Sequence, residues 1–258
     1  MRVATFNANS IRSRIEPTLA WLRTNKPDVL AVQETKVTDD LFPADAFAAE
    51  GYAAVFRGEK AYNGVAILSR QPPDEAIFGF DDGEEPADET RLARARFGDL
   101  WIANTYVPQG RALGHPMFAY KLAWFARLRR LFARRHRPSE PLLWVGDLNV
   151  ARAPEDLHDP KGNANHVCFH ADARAAFEAV LDWGFEDVFR RFHAGPGHYT
   201  FHDYRVPRAL ERGRGWRVDY ILATRPMAER ARDCFIDLDP RRGPKPSDHT
   251  FLAADFEP

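Results

Sequence analysis

Short apolar runs recur along the chain, separated by turn residues and by a few longer stretches with helical spacing. The runs at 2–7, 28–34, 52–57, 64–69, 92–97, 100–106, 141–146, 216–223 and 250–256 predict strands. Residues 15–25 predict a helix that stops before Pro27. Residues 117–136 place Phe118, Leu122, Phe125, Leu128 and Phe132 at the spacing of an amphipathic helix, and 172–183 offers another. Strands outnumber helices, and several follow one another with no helix between them. That pattern predicts a mixed-sheet α/β sandwich rather than a doubly wound parallel sheet. No linker, repeat or low-complexity stretch divides the chain, so 1–258 is expected to form one domain. The acidic stretch Asp81-Asp82-Gly83-Glu84-Glu85-Pro86 is expected to be a surface excursion.

Polar residues close several of the predicted strands. Val3-Ala4-Thr5-Phe6 ends at Asn7, and Val29-Leu30-Ala31-Val32-Gln33 ends at Glu34. Leu142-Leu143-Trp144-Val145 leads into Gly146-Asp147-Leu148-Asn149, and Ser247-Asp248-His249 precedes the last strand. Strand ends meet at the rim of a sheet, so these groups can converge. Glu, Asp and Asn beside a histidine suit a hard divalent cation and metal-assisted cleavage of a phosphate ester. Each cluster alone is weak, because Asn and Gly-Asp-x-Asn are also ordinary turn formers. Asp219 is harder to set aside. It interrupts Val218, Tyr220, Ile221 and Leu222, and a carboxylate buried there needs a partner. His249 is the natural one, since a carboxylate on one imidazole nitrogen fixes the tautomer and raises basicity. His115, His136, His158, His166, His170, His193 and His198 show no metal spacing and are taken as background.

Composition adds bounds. With 45% apolar residues, 12% aromatic residues and a net charge of -1, the chain suits a folded globule and not an indiscriminate polycation. Cys168 and Cys234 form no paired motif, no run reaches membrane-spanning length, and strand pattern begins at Arg2. A cytoplasmic protein without a signal peptide is the expectation. Arg127, Arg130, Arg134 and Arg137 lie opposite the apolar stripe of their helix and are expected to be a solvated face. Arg205, Arg208, Arg212, Arg214 and Arg217 interleave with Phe201, Tyr204 and Trp216 just before Asp219. That mixture suits a phosphate backbone with exposed bases or sugars.

Taken in order, Phe6-Asn7-Ala8-Asn9, Gln33-Glu34-Thr35-Lys36, Tyr62-Asn63-Gly64-Val65-Ala66 and Tyr106-Val107-Pro108-Gln109-Gly110 resemble the exonuclease III family of apurinic/apyrimidinic (AP) endonucleases. Gly146-Asp147-Leu148-Asn149, Trp216-Arg217-Val218-Asp219-Tyr220 and Ser247-Asp248-His249 continue the match within the wider endonuclease/exonuclease/phosphatase superfamily. The resemblance implies a four-layered α/β sandwich of two packed mixed sheets flanked by helices. It implies a magnesium-dependent DNA repair nuclease, with manganese as a possible substitute. Such an enzyme cleaves 5′ to abasic sites in double-stranded DNA, with 3′→5′ exonuclease and 3′-phosphatase activity, and acts as a monomer. Glu34 would be the main metal ligand, with Asn7 and Asp248. Tyr106 would contact the phosphate, Asp147 and Asn149 would handle the attacking water, and His249 would act with Asp219 behind it. Whether Asp147 or His249 is the base stays open. Phe201 and Trp216 would line the abasic-sugar pocket; from the basic–aromatic loop itself, Arg208 and Arg212 are the expected contacts to the DNA backbone. Resembling chains carry a large aromatic where this one has His202, which is expected to alter that pocket if it belongs to its wall.

A superfamily phosphodiesterase or phosphatase acting on a non-DNA substrate would share the catalytic set but lack Tyr-Val-Pro-Gln-Gly and the basic–aromatic loop. A catalytically silent DNA-binding module would have lost Glu34, Asp219 or His249. This chain has all of these features.

Overall fold

The structure, a computed structural model, describes residues 1–257. In chain order the elements are β1 (Arg2–Asn7), α1 (Ile15–Asn25), β2 (Val29–Gln33), α2 (Ala44–Ala49), β3 (Ala53–Arg57), β4 (Val65–Ser69), β5 (Glu75–Phe78), β6 (Leu92–Phe97) and β7 (Leu100–Tyr106). They continue with α3 (Pro116–Arg135), β8 (Leu142–Asp147), α4 (Ala171–Leu181), β9 (Phe185–Asp187), α5 (Val188–Phe192), β10 (Asp219–Thr224), α6 (Arg225–Ala228), β11 (Ala231–Asp237) and β12 (Phe251–Phe256). One sheet has the order β11-β12-β1-β2-β4-β3, the other β5-β6-β7-β8-β10-β9. Each contains one parallel pair, β1 with β2 and β7 with β8, among antiparallel neighbours.

Alternation along the central strands explains the stacking. In β2, Val29 and Ala31 face the other sheet while Leu30 and Val32 face α1 and α2. In β8, Leu143 and Val145 face inward while Leu142 and Trp144 pack on Phe125 and Phe132 of α3. Both faces are covered, so these strands read as continuous apolar runs. Each fully buried Val or Leu side chain favours the fold by about 1.5–3 kcal/mol. The outcome is the four-layered α/β/β/α sandwich.

The topology also fixes the site. Parallel β1 and β2 both finish at one rim, and so do β7 and β8 of the other sheet. Antiparallel β10 and β12 start there. Asn7, Glu34, Tyr106, Asp147, Asp219 and His249 therefore reach one edge, with Asp219 directly opposite Asp147 in register. Gly146 makes the approach possible. Its φ is 133°, and a β-carbon there would stand 2.1 Å from the Thr105 carbonyl oxygen.

Three strands escape the hydrophobic pattern: β5, β9 and β11. β5 and β11 are edge strands with charged, half-exposed faces, and β9 has only three residues. The expected run from 216 begins as a strand only at Asp219.

The arginine face of α3 differs from its expectation at one position. Arg127 is 7% exposed, and its guanidinium clasps the Asp82 carboxylate at 2.5 and 2.8 Å and the carbonyls of Glu84 and Pro86 at 2.6 Å. The Arg127 hydrogen bond holds Asp82 down to about 2 against the effect of burial. Arg130 reaches Glu84 and Arg134 the Phe80 carbonyl. The acidic excursion is thus fastened to α3 mainly through Arg127, which its carboxylate neutralises, while Arg130, Arg134 and Arg137 stay exposed as expected of a solvated face.

Arg94 of β6 is 2% exposed, and its Nε and Nη2 have no partner. Burial, aided by Arg135, pulls its pKa down to about 10. Arg94→Met is expected to raise stability by ~1–2 kcal/mol, because a similar-sized apolar side chain avoids burying a charge. Urea denaturation checks it, and a lower midpoint would show that Arg94 has a compensating partner.

Candidate active site

Glu34 follows β2 with φ 50°, a left-handed conformation that turns its side chain into the cleft. Asn7 donates its amide nitrogen to Glu34 Oε1 and to Asp147 Oδ2, each at 2.8 Å, and its oxygen accepts from Asn9 N at 2.9 Å. It therefore holds two carboxylates in place. Lys36 Nζ stands 2.7 Å from Glu34 Oε2 and also donates to Asn9 Oδ1, while Asn9 Nδ2 reaches Asp248 Oδ1 at 3.0 Å.

Across the rim, Asp147 Oδ1 accepts from Asn149 N at 2.9 Å, and its Oδ2 lies 3.8 Å from His249 Nε2. Asn149, at φ 51°, donates Nδ2 to the Val107 carbonyl and to Asp147. His249 Nδ1 meets Asp219 Oδ2 at 2.8 Å, and Asp219 is fully buried. Burial alone would drive His249 toward neutrality. Asp219, then Asp147, outweigh it and push the imidazole up to about 10. Asp147 is raised as well, first by burial and then by Asp219 and Glu34, which His249 opposes. Tyr106 is raised far above the usual phenol range by burial and by Glu34 and Asp147, so it stays a hydrogen-bond donor.

Asp147, Asp219 and His249 each offer an atom within 4.8 Å of the others. That trio is a poor metal cage, because Asp219 and His249 already satisfy each other. Glu34 and Asp248 suit a hard cation better. They are oxygen donors lining the cleft, and Glu34 already attracts the Lys36 ammonium.

The cleft, about 720 Å³, runs from Glu34, Tyr106, Asp147 and His249 to Phe201, Trp216 and Val218. Phe201 bridges to both Trp216 and His249, which brings the apolar wall beside the imidazole. His158, His166, Asn163, Gln109 and Cys168 complete the lining, with the His166 ring 4.8 Å from that of Trp216. The two histidines carried no spacing signal; a long loop folds them across the site. Gln109 and Lys36 lie inside recognised motifs and were findable there.

Several expectations need correction. Arg217 is fully buried and paired with Asp156 at 2.8 Å and Asp187 at 2.7 Å, so it is no DNA contact. Arg208 and Arg212 are exposed but do not line the cleft, whereas Arg205 and Arg214 do. Arg205 is folded onto Asp203 at 2.7 Å, while Arg214 has no ion pair among the described residues. His202 is 3% exposed and packs behind the wall against Gly215, whose β-carbon position is 2.9 Å from His202 Nε2. Burial lowers its pKa to about 4. It neither faces solvent nor lines the recess.

Residues 4–249 match the endonuclease/exonuclease/phosphatase family. The chain belongs to this family. It is 34% identical to the exodeoxyribonuclease III of Haemophilus influenzae, with all of both chains covered. An AP endonuclease structure from Archaeoglobus fulgidus superposes with a TM-score of 0.98 at 48% identity, covering all of both chains. A 3′ phosphatase from Neisseria, solved with a product DNA hairpin, gives 0.93 at 35% identity over 100% of this chain and 99% of that one. Among the described residues no helix is long and apolar enough to cross a membrane.

Proposed function

We propose that this family member is a DNA repair nuclease that hydrolyses the phosphodiester 5′ to abasic sites in duplex DNA, works with magnesium and acts as a monomer. The observation that carries the abasic specificity is the apolar recess of Phe201, Trp216 and Val218, continuous with Asp147 and His249. A sugar without its base fits such a recess, while the adjoining phosphate lies over the polar rim.

Glu34, with Asp248, would hold the cation, which supplies charge neutralisation at the phosphate when bound. Asp147 is the base in this reading. Asp219, 2.8 Å from Nδ1, favours the protonated form of His249, whereas burial and the neighbouring carboxylates raise the basicity of Asp147. Asn149 positions the attacking water against Asp147. Tyr106 and the His249 imidazolium donate to the phosphate oxygens as charge develops.

Duplexes bearing one abasic site, a recessed 3′ end or a 3′-phosphate, incubated with magnesium or EDTA, test the proposal. Magnesium-dependent incision 5′ to the abasic site, leaving a 3′-hydroxyl, is expected to dominate. Preference for the 3′ ends over the abasic duplex would overturn the abasic assignment.

Arg214 gives a test of the DNA footprint. Arg214→Glu is expected to weaken duplex binding and to reduce the log–log salt slope by about one unit, as for one lost phosphate contact. Arg127→Glu should instead lower the melting temperature through loss of the acidic clasp, with no change in that slope. Salt titrations of binding and thermal melts separate the two.

A further inference from the structure

Lys121 lies on α3, behind the cleft, and none of the roles above uses it. Its side chain is fully buried, and its ammonium donates to Asn149 O at 2.6 Å, Val167 O at 3.0 Å and Gln109 O at 3.2 Å. The remaining contact is Cys168 Sγ at 4.0 Å, so no carboxylate partners it directly. The three carbonyls belong to the loops after β7, after β8 and before α4. Each loop lends the cleft a side chain: Gln109, Asn149 and Cys168.

Burying an ammonium without a counter-ion is costly, and burial accordingly lowers its pKa, opposed by Cys168 and Asp147. An apolar side chain would suit this face of α3 beside Phe118 and Phe125 equally well for packing. What it could not do is bind three carbonyls at one point. Asn149 is where this matters. It is a non-glycine residue at φ 51°, tied to Asp147 by its N–H and to Val107 by its side-chain amide, and held from behind by Lys121.

We propose that Lys121 is a positioning residue, whose ammonium gathers the Gln109, Asn149 and Val167 carbonyls and keeps Asn149 in the backbone conformation that presents its amide to Asp147 and the cleft. The inference rests on the role given to Asn149 above. Without the ammonium, three carbonyls lose their donor, and the 149 peptide relaxes out of its strained region.

The test uses Lys121→Met, Asn149→Ala and the double variant in single-turnover assays on a duplex with a recessed 3′ end, with magnesium in excess. Lys121→Met is expected to slow the step about 100-fold, the scale of an ångström-sized misplacement, with little change in duplex affinity. In the Asn149→Ala background it should add nothing, because the group it positions is gone. Multiplying effects in the double variant would overturn the proposal, since general loosening acts in either background. Asn149→Ala at the wild-type rate would overturn the assignment of Asn149 itself. Lys121→Gln covers failure of the methionine variant to fold. Its shorter amide keeps part of the donation, so a smaller loss, again absent in the Asn149→Ala background, is expected. A glutamine variant as fast as wild type would overturn the role of the ammonium.

Discussion

Replacing Asp219 with asparagine is expected to slow turnover by about 10³–10⁴-fold while leaving DNA affinity nearly unchanged. Asp219 is fully buried and does not line the cleft, so it has no direct path to substrate. Its effect passes through His249 Nδ1, 2.8 Å away. An asparagine of the same shape can turn its nitrogen toward that ring, which selects the wrong tautomer, and it removes the charge that keeps the ring protonated. The alkaline limb of the pH–rate profile should therefore move to lower pH in the variant. Stability should respond with a definite sign. A histidine raised from 6.5 to about 10 on folding contributes stability that is fully present below 6.5 and is lost as pH rises through about 10. The gap in denaturation midpoint between wild type and Asp219→Asn should thus be widest below neutral pH and narrow toward about 10. Additive losses for Asp219→Asn and His249→Ala in a double-mutant cycle would break the pairing.

Glu34→Gln should abolish most metal-dependent cleavage while the fold survives. The carboxylate sits between the Asn7 amide and the Lys36 ammonium, with its side chain 15% exposed at the cleft. Glutamine keeps the shape but not the charge that a hard cation requires. If that cation supplies several kcal/mol of charge neutralisation, its loss slows the reaction by roughly 10³-fold or more. Magnesium titrations of single-turnover rates, with manganese binding measured separately, check both halves of the statement. Wild-type turnover at saturating magnesium would place the metal elsewhere. Weak manganese binding with normal cleavage would separate Glu34 from the chemistry.

The residues most legible in the sequence were those with a local signature. Asn7, Glu34 and Asp147 each close a largely apolar run, and the change to polar residues says where the strand stops. Asp219 was legible for an energetic reason, because a charge inside an apolar strand demands a partner, and His249 is that partner in the structure. The mixed sandwich followed from strands outnumbering helices; its four layers came with the family resemblance. Other features depend on groups far apart in the chain. Arg214 and Arg217 look alike in the sequence. Only folding sets Arg217 between Asp156 and Asp187 while Arg214 lines the cleft. Arg127 looked solvated until the acidic stretch folded back onto it. His202 could be read as pocket wall or as solvent face, and the structure makes it neither, because its ring is buried against Gly215. Lys121 reads as one polar position on a helix, and its role depends on three carbonyls that converge only in the folded chain. Hydrophobic pattern records which face of an element is buried. Which charge is buried with which partner is set by contacts between distant segments, and there tertiary structure alone decided.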